Sequence, residues 1–326
     1  MDSSLRDIIP RGGISMGAVL DGICLAVIGG DDREIYLIPE LQRQGAYIIG
    51  LGLEESPLGK NIEHAKSFIE IVEKADALIF PMFGTDERGL VKAKYSDTPI
   101  ILNKEILETI PIGVPLFIGW ARSALKAASE NMKIELVEVA IRDDVAILNS
   151  IPSAEGAVQM AMEATNITIH SSESFVLGLG RCGITLIHLL KGMGANVTCV
   201  ARKSIDLSRA IEMGIKTVEF KNLIQEIGKA EIIFNTVPDL VLDRSMLEKM
   251  SRDVVVIDLA SIPGGTDFEY AQMLGIKAQL APGLPGIVAP KTAGKILAQI
   301  YPQLILKHLS LCRNKRSREG GFDNEI

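Results

Sequence analysis

Residues 175–190 read FVLGLGRCGITLIHLL. A short apolar run ends in Gly178-x-Gly180-x-x-Gly183 and continues directly into a segment of helical length. Glycines are common in turns, so the spacing alone says little; its place between a strand and a helix gives it meaning. Gly178 suits a tight turn, Gly180 a close backbone approach and Gly183 close helix packing, which together set a pyrophosphate on a helix N-terminus. Arg181 and Cys182 open that helix and belong to the same candidate site. The stretch therefore predicts a dinucleotide-binding α/β domain of the Rossmann type.

Three further segments extend the site. The next strand ends in VARKS (200–204), where a binder of unphosphorylated NAD usually carries an acid for the ribose hydroxyls. Arg202, Lys203 and Ser204 stand there instead, and no acid follows until Asp206. Two cations and a hydroxyl suit a 2′-phosphate, so NADP is favoured, with NAD the alternative. NTVP (235–238) follows another strand and contributes Thr236, Val237 and Pro238; DLASIPGGTDF (258–268) follows the next and contributes Asp258 and Ala260. In open α/β sheets ligands bind outside the carboxyl ends of the strands.

Short Val/Ile/Leu runs alternate with helical segments along the chain, the pattern of parallel sheets buried on both faces. Expected strands are 23–28, 47–51, 77–81, 99–102, 115–119 and 133–138 in the first half, and 174–179, 196–200, 216–220, 231–235, 254–258 and 277–281 in the second. The fold class is α/β, with two doubly wound parallel-sheet domains. The divisions are 1–150, an outer substrate or partner domain; 151–290, the nucleotide-binding domain; 291–311, a helix packing back on the first domain; and 312–326, a frayed polar tail. SIPSAEGAVQMAMEAT (150–165) marks the boundary: Pro152 and Ser153 suit a helix start, with Ser153 its N-cap and positions 154, 157, 158, 161 and 162 packing on one side. Pro302 is expected to kink or break the last helix.

Composition excludes several functions. With 326 residues, 47% hydrophobic and 23% charged, the chain can bury a large core. A net charge of −7 argues against a nucleic-acid footprint. Four cysteines and four histidines are scattered without metal-ligand spacing, so no metal is expected and a reduced cytosolic setting fits. The most membrane-like stretch, residues 13–30, carries Asp21 and several glycines and reads as a strand entering a turn, and no basic region introduces a signal peptide.

Catalytic machinery is less visible. No nucleophile turn appears, and the late histidine used by 2-hydroxyacid dehydrogenases is missing. Hydride transfer needs no protein nucleophile, because the cofactor carries it. Arg33, Arg122, Arg142 and Lys291 lie near loops or helix starts and are candidate cations for a substrate.

GLGRCG, VARKS, NTVP, DLASIPGGTDF and APGLPGIVAPKTAG (281–294), with VIGGDDRE (27–34) and RDDVAILNSIPSAEG (142–156) in the first half, occur in the order and spacing of the A subunit of bacterial dipicolinate synthase. The chain resembles that family over residues 22–306. The resemblance implies a flavodoxin-like outer domain facing a Rossmann domain across a cleft, as in formate/glycerate dehydrogenases and alanine dehydrogenase. It implies oxidation of a dihydrodipicolinate-type intermediate of the lysine pathway, or its hydrated tetrahydro precursor, in sporulating bacteria. It further implies a partner protein, the flavoprotein-like B subunit of dipicolinate synthase, together with a homo-oligomer by analogy and the cytoplasm of the mother cell as location. Aromatisation drives such a reaction, so a weak base suffices. On this layout the dicarboxylate sits between the nucleotide and the loops at 29–33 and 84–85. Gly30, Arg33, Thr85, Ser150, Ser261, Gly283 and Pro285 are then candidate substrate contacts, and Ser261, Glu155 and Arg33 candidate catalytic groups. The missing acid/base pair leaves open a regulatory or scaffold protein that binds nucleotide without turning it over. A dehydrogenase of an amino or imino acid stays a third reading.

Overall fold

A computed structural model describes residues 18–319, with side chains described through Cys312. The first sheet contains β1 (Cys24–Ile28), β2 (Tyr47–Leu51), β3 (Glu63–His64), β4 (Ala77–Ile79), β7 (Leu116–Ile118) and β8 (Leu136–Glu138). All pair in parallel, in the order β3-β2-β1-β4-β7-β8. The second contains β9 (Glu173–Leu177), β10 (Asn196–Ala201), β11 (Lys216–Glu219), β12 (Ile232–Asn235), β13 (Val255–Asp258) and β14 (Lys277–Leu280). Its order, β11-β10-β9-β12-β13-β14, repeats that of the first, again wholly parallel. Each sheet reverses its winding beside its first strand, between β1 and β4 and between β9 and β12. That switch point opens a crevice at the carboxyl ends of the strands.

One expectation is corrected in the first half, and one strand there was not expected. The run at 99–102 leaves the main sheet: β6 (Ile100–Ile101) pairs antiparallel with β5 (Leu90–Val91) in a separate ribbon, and Ile101 is half exposed. The sheet edge is taken by the two-residue β3, too short to show as an apolar run.

Helix α1 (Asp32–Arg43) follows β1 and is capped by Asp31, with Glu34 bonding back to complete a capping box. Helix α2 (Asp143–Ala164) connects the two sheets as one continuous 22-residue element. Its N-cap is Arg142, so Ser153 is no cap; Pro152 lies inside the helix, and the Ser153 hydroxyl donates to the Asn149 carbonyl at 2.8 Å. Burial on both sides of Pro152 outweighs the one lost N–H. Ala154, Ala157, Val158 and Ala161 are buried as expected, while Met162 is exposed. Helix α3 (Arg181–Gly192) lies beside α2, and α4 (Ser204–Glu212) follows β10.

After β14 come a short helix, α5 (Leu284–Val288), and the long α6 (Pro290–Glu319). Leu297, Tyr301, Leu304, Ile305 and Leu309 of α6 join Leu25, Leu37, Leu41, Ile79 and Phe117 in one buried cluster. The chain thus returns to complete the core of the domain it began with. Pro302 does not break α6, which runs on through residue 319; the rest of the expected tail, 320–326, lies outside the described residues.

Candidate cofactor and substrate cleft

The glycine turn has the geometry its spacing predicts. Gly178 adopts φ +96°, a left-handed conformation that side chains disfavour, and its N–H donates to the Val200 carbonyl at 2.8 Å. A methyl carbon at Gly183 would stand 2.2 Å from the Gly178 carbonyl oxygen, so only glycine lets α3 approach β9 this closely. Gly180 is the N-cap of α3, and a methyl carbon there would meet no atom within 4 Å. No acid occupies the first turn of α3, and Arg181 does. An uncapped helix start with space beside it fits a pyrophosphate, the group whose charge suits exposed N–H donors. Burial pushes the Cys182 thiol up, which leaves it uncharged in this position.

The flanking loops are braced from within. The Thr236 hydroxyl donates to the Leu177 carbonyl at 2.8 Å, tying NTVP to the turn. Asn235 both donates to the Val237 carbonyl and accepts from the Val237 N–H, each at 3.0 Å, ahead of Pro238. The buried Asp258 carboxylate accepts from Ala260 N–H at 3.0 Å, Gly265 N–H at 2.9 Å and the Thr266 hydroxyl at 2.7 Å. It shapes the loop that would contact the cofactor and points into that loop itself. Ser261, within the same loop, is exposed. Arg202, Lys203 and Ser204 are exposed together at the end of β10.

The first domain meets these loops directly. A methyl carbon at Gly283 would stand 2.2 Å from Phe83 Cζ, and one at Gly286 would stand 3.0 Å from Arg33 Nε. The 282–290 segment, Pro285 included, therefore lies against the loops that follow β1 and β4, and the carboxyl ends of the two sheets border one crevice. Arg33 itself is nearly buried and forms a bidentate pair with Asp31, at 2.9 and 2.8 Å, with its guanidinium 5.0 Å from the Phe83 ring centre. Burial opposes its charge, but Asp31 and Glu34 hold it firmly protonated. Its fork is committed to Asp31 rather than presented to a ligand. Beside it Glu34 is fully buried and accepts the Asp31 N–H at 2.6 Å. Burial pushes its carboxyl up to about 7, against the pull of Arg33.

Other predicted residues fall elsewhere. Gly30 packs over the Glu34 carboxylate, where a methyl carbon would stand 2.4 Å from Cδ. Thr85 is buried in a 240 Å³ cavity with Arg88, Asn103 and Arg122, all of the first domain. Ser150 is fully buried, donating to the Ile147 carbonyl at 2.6 Å with the Thr185 hydroxyl also at 2.6 Å, so it joins α2 to α3. Glu155 is exposed and lines a groove with Gln159, Met162 and Leu189, near the far end of α3. The helical period explains this: Gly156 faces Leu284 and Val288, which turns its neighbour outward. The structure thus does not bring Ser261, Glu155 and Arg33 together. Sequence reasoning missed Glu34 and Phe83; the D-x-x-E spacing of Asp31 and Glu34 was a readable capping signal, whereas nothing marked Phe83. Among the described residues no group of three or more His, Cys, Asp or Glu could hold a metal ion, and no helix is long and apolar enough to cross a membrane.

Two doubly wound domains, with a glycine turn at the carboxyl edge of the second sheet, define the class of two-domain, dehydrogenase-like proteins. Comparison with known proteins agrees. Residues 153–299 match the alanine dehydrogenase/PNT C-terminal domain family, and residues 24–140 match the family of N-terminal domains of the dipicolinate synthase A subunit. The chain is 40% identical to the A subunit of dipicolinate synthase from Bacillus subtilis (strain 168) over 288 residues, 88% of this chain and 97% of that one. The crystal structure of the corresponding Bacillus halodurans protein superposes with a TM-score of 0.84 at 39% identity, covering 88% of this chain and 98% of the other. An L-alanine dehydrogenase shares the fold at 14% identity, with a TM-score of 0.58 and coverage of 86% and 89%. The chain belongs to the family of dipicolinate synthase A subunits.

Proposed function

We propose that this chain is the dehydrogenase component of a dipicolinate synthase. It oxidises dihydrodipicolinate, or its hydrated tetrahydro precursor, to the aromatic dicarboxylate, in the cytoplasm of the mother cell during sporulation and together with a flavoprotein-like second component. The observation that supports this reading is the packing of the 282–290 segment, which follows β14, against Phe83, Arg33 and Asp31 of the first domain, with Arg181 of the glycine turn reaching Ile141 and Asp143. The nicotinamide group, when bound, accepts hydride. The α3 N-terminus at Gly180 would hold the pyrophosphate, with Arg181 beside it bonded to the Ile141 carbonyl at 3.0 Å and to Asp143 at 3.1 Å, and Arg202, Lys203 and Ser204 would hold the 2′-phosphate of NADP, with NAD as the alternative. Asp258 and Thr236 hold the two loops rigid around it. The substrate's carboxylates would meet the crevice loops at 29–33 and 258–265. Both substrate and product carry carboxylates at this site, so donors there serve binding rather than rate.

One observation favours a second reading. Arg33 and Ser150 spend their polar atoms inside the protein and Glu155 faces away, which suits a nucleotide-binding scaffold whose partner performs the redox step. Purified chain given dihydrodipicolinate and NADP separates the two. Growth of NADPH absorbance without the flavoprotein-like partner makes this chain the enzyme; growth only in its presence makes it the scaffold. Arg202→Ala with Lys203→Ala, titrated separately with NADPH and NADH, tests the phosphate assignment, which falls if neither affinity drops.

A further inference from the structure

The loops on either side of the glycine turn are joined by a charge pair. In the second sheet β9 lies between β10 and β12. Arg202 follows β10 and Asp239 follows β12, and Arg202 Nη2 lies 3.3 Å from Asp239 Oδ2. The pair therefore spans the strand that leads into Gly178, at the carboxyl edge of the second sheet. Both side chains remain about two-thirds exposed, at 69% and 65%, so neither is needed to hold the core together.

We infer that Asp239 sets the cofactor preference of the site, by drawing Arg202 away from the 2′-phosphate. This rests on the assignment of a nicotinamide dinucleotide to the glycine turn. A 2′-phosphate must take Arg202 from Asp239 and must also lie near a carboxylate of its own sign. An unphosphorylated ribose meets neither demand, and the pair stays closed beside it. Arg202 alone would make the site selective for the phosphorylated cofactor; with Asp239 opposite, the site accepts both. Because the pair is solvent-exposed, its effect belongs to the range of surface ion pairs and weakens with salt.

The test is titration of the full chain with NADPH and with NADH, followed by nucleotide fluorescence, for wild type, Asp239→Asn, Asp239→Ser, Arg202→Ala and the Asp239→Asn/Arg202→Ala double variant. Both Asp239 variants should tighten NADPH by about fivefold at low salt and leave NADH within about twofold. In the Arg202→Ala background the Asp239 change should tighten NADPH by less than in the wild-type background, because only the like-charge repulsion is then relieved. An unchanged NADPH-to-NADH ratio in variants that bind both nucleotides overturns the role of Asp239 while leaving the cofactor site standing. Failure of the wild type to bind either nucleotide overturns the cofactor assignment and this inference with it. Far-UV circular dichroism melts of each variant confirm that the fold is unchanged.

Discussion

Replacing Glu34 by glutamine should remove a pH dependence that is built into the first domain. Glu34 is fully buried at the start of α1, where its carboxylate accepts the Asp31 N–H at 2.6 Å. Burial raises its carboxyl from an ordinary value of 4.5 to about 7; the Arg33 charge opposes the rise and the Asp31 charge adds to it. Between those two values the folded chain keeps a proton that the unfolded chain releases. Stability must then fall as pH rises, beginning near 4.5 and ending near 7. A rise of that size corresponds to about 3 kcal/mol. Glutamine keeps the acceptor oxygen for Asp31 and has no charge to desolvate, so the capping geometry is preserved. Urea denaturation of wild type and Glu34→Gln at intervals from pH 4.5 to 8 measures the effect, read as the difference in unfolding free energy between the two proteins. That difference should move by about 3 kcal/mol in favour of the variant across the window, because every other titrating group cancels. Parallel stability curves, within about 1 kcal/mol at every pH, would refute a buried and reluctantly ionised Glu34.

Three more outcomes follow from the geometry of the cleft. Gly180→Ala places its methyl where no protein atom lies within 4 Å, so its melting temperature should match wild type while NADPH affinity drops about tenfold or more; unchanged affinity would place the pyrophosphate elsewhere. Gly283→Ala brings a methyl to 2.2 Å from Phe83 Cζ and should cost about 1–3 kcal/mol of stability, partly restored by Phe83→Leu in the same chain. Gly283 also adopts φ +67°, a strain that the second change leaves in place, so the restored part measures the Phe83 contact alone and its absence counts against that contact. Arg33→Met leaves Asp31 buried beside Glu34 without its cation and should cost about 3–5 kcal/mol in urea denaturation, while a loss below about 1 kcal/mol would mean that Arg33 is free to serve a ligand.

The strand–turn–helix geometry at the glycine turn was legible because it is local. A strand, a turn with φ > 0, a close approach and a helix start all fall within a few consecutive residues, so Gly178, Gly180 and Gly183 carry their meaning in their spacing. The same holds for the strands of the second sheet, whose apolar runs are long enough to be recognised. Shorter elements escaped: a two-residue edge strand has no periodicity, and Ile100–Ile101 reads as a sheet strand until its partner is known. Ser153 fits every local rule for a cap, yet α2 begins at Asp143, because packing against both domains overrides the local preference of one proline. The candidate substrate residues were the least legible. Whether Arg33 is offered to a ligand or spent on Asp31, and whether Ser150 faces a cleft or a neighbouring helix, depends on side chains far away in the chain.

The sequence by itself determined the class of the fold, the position of the glycine turn and the family, since each rests on contiguous patterns imposed by backbone geometry. Only the tertiary structure decided that α6 returns to the first domain's core, that the 282–290 segment meets Phe83 and Arg33, and that Arg202 lies opposite Asp239. These contacts join segments tens to hundreds of residues apart, and no local propensity encodes them. They arise from how two sheets, each with its own buried core, face one another across a shared crevice.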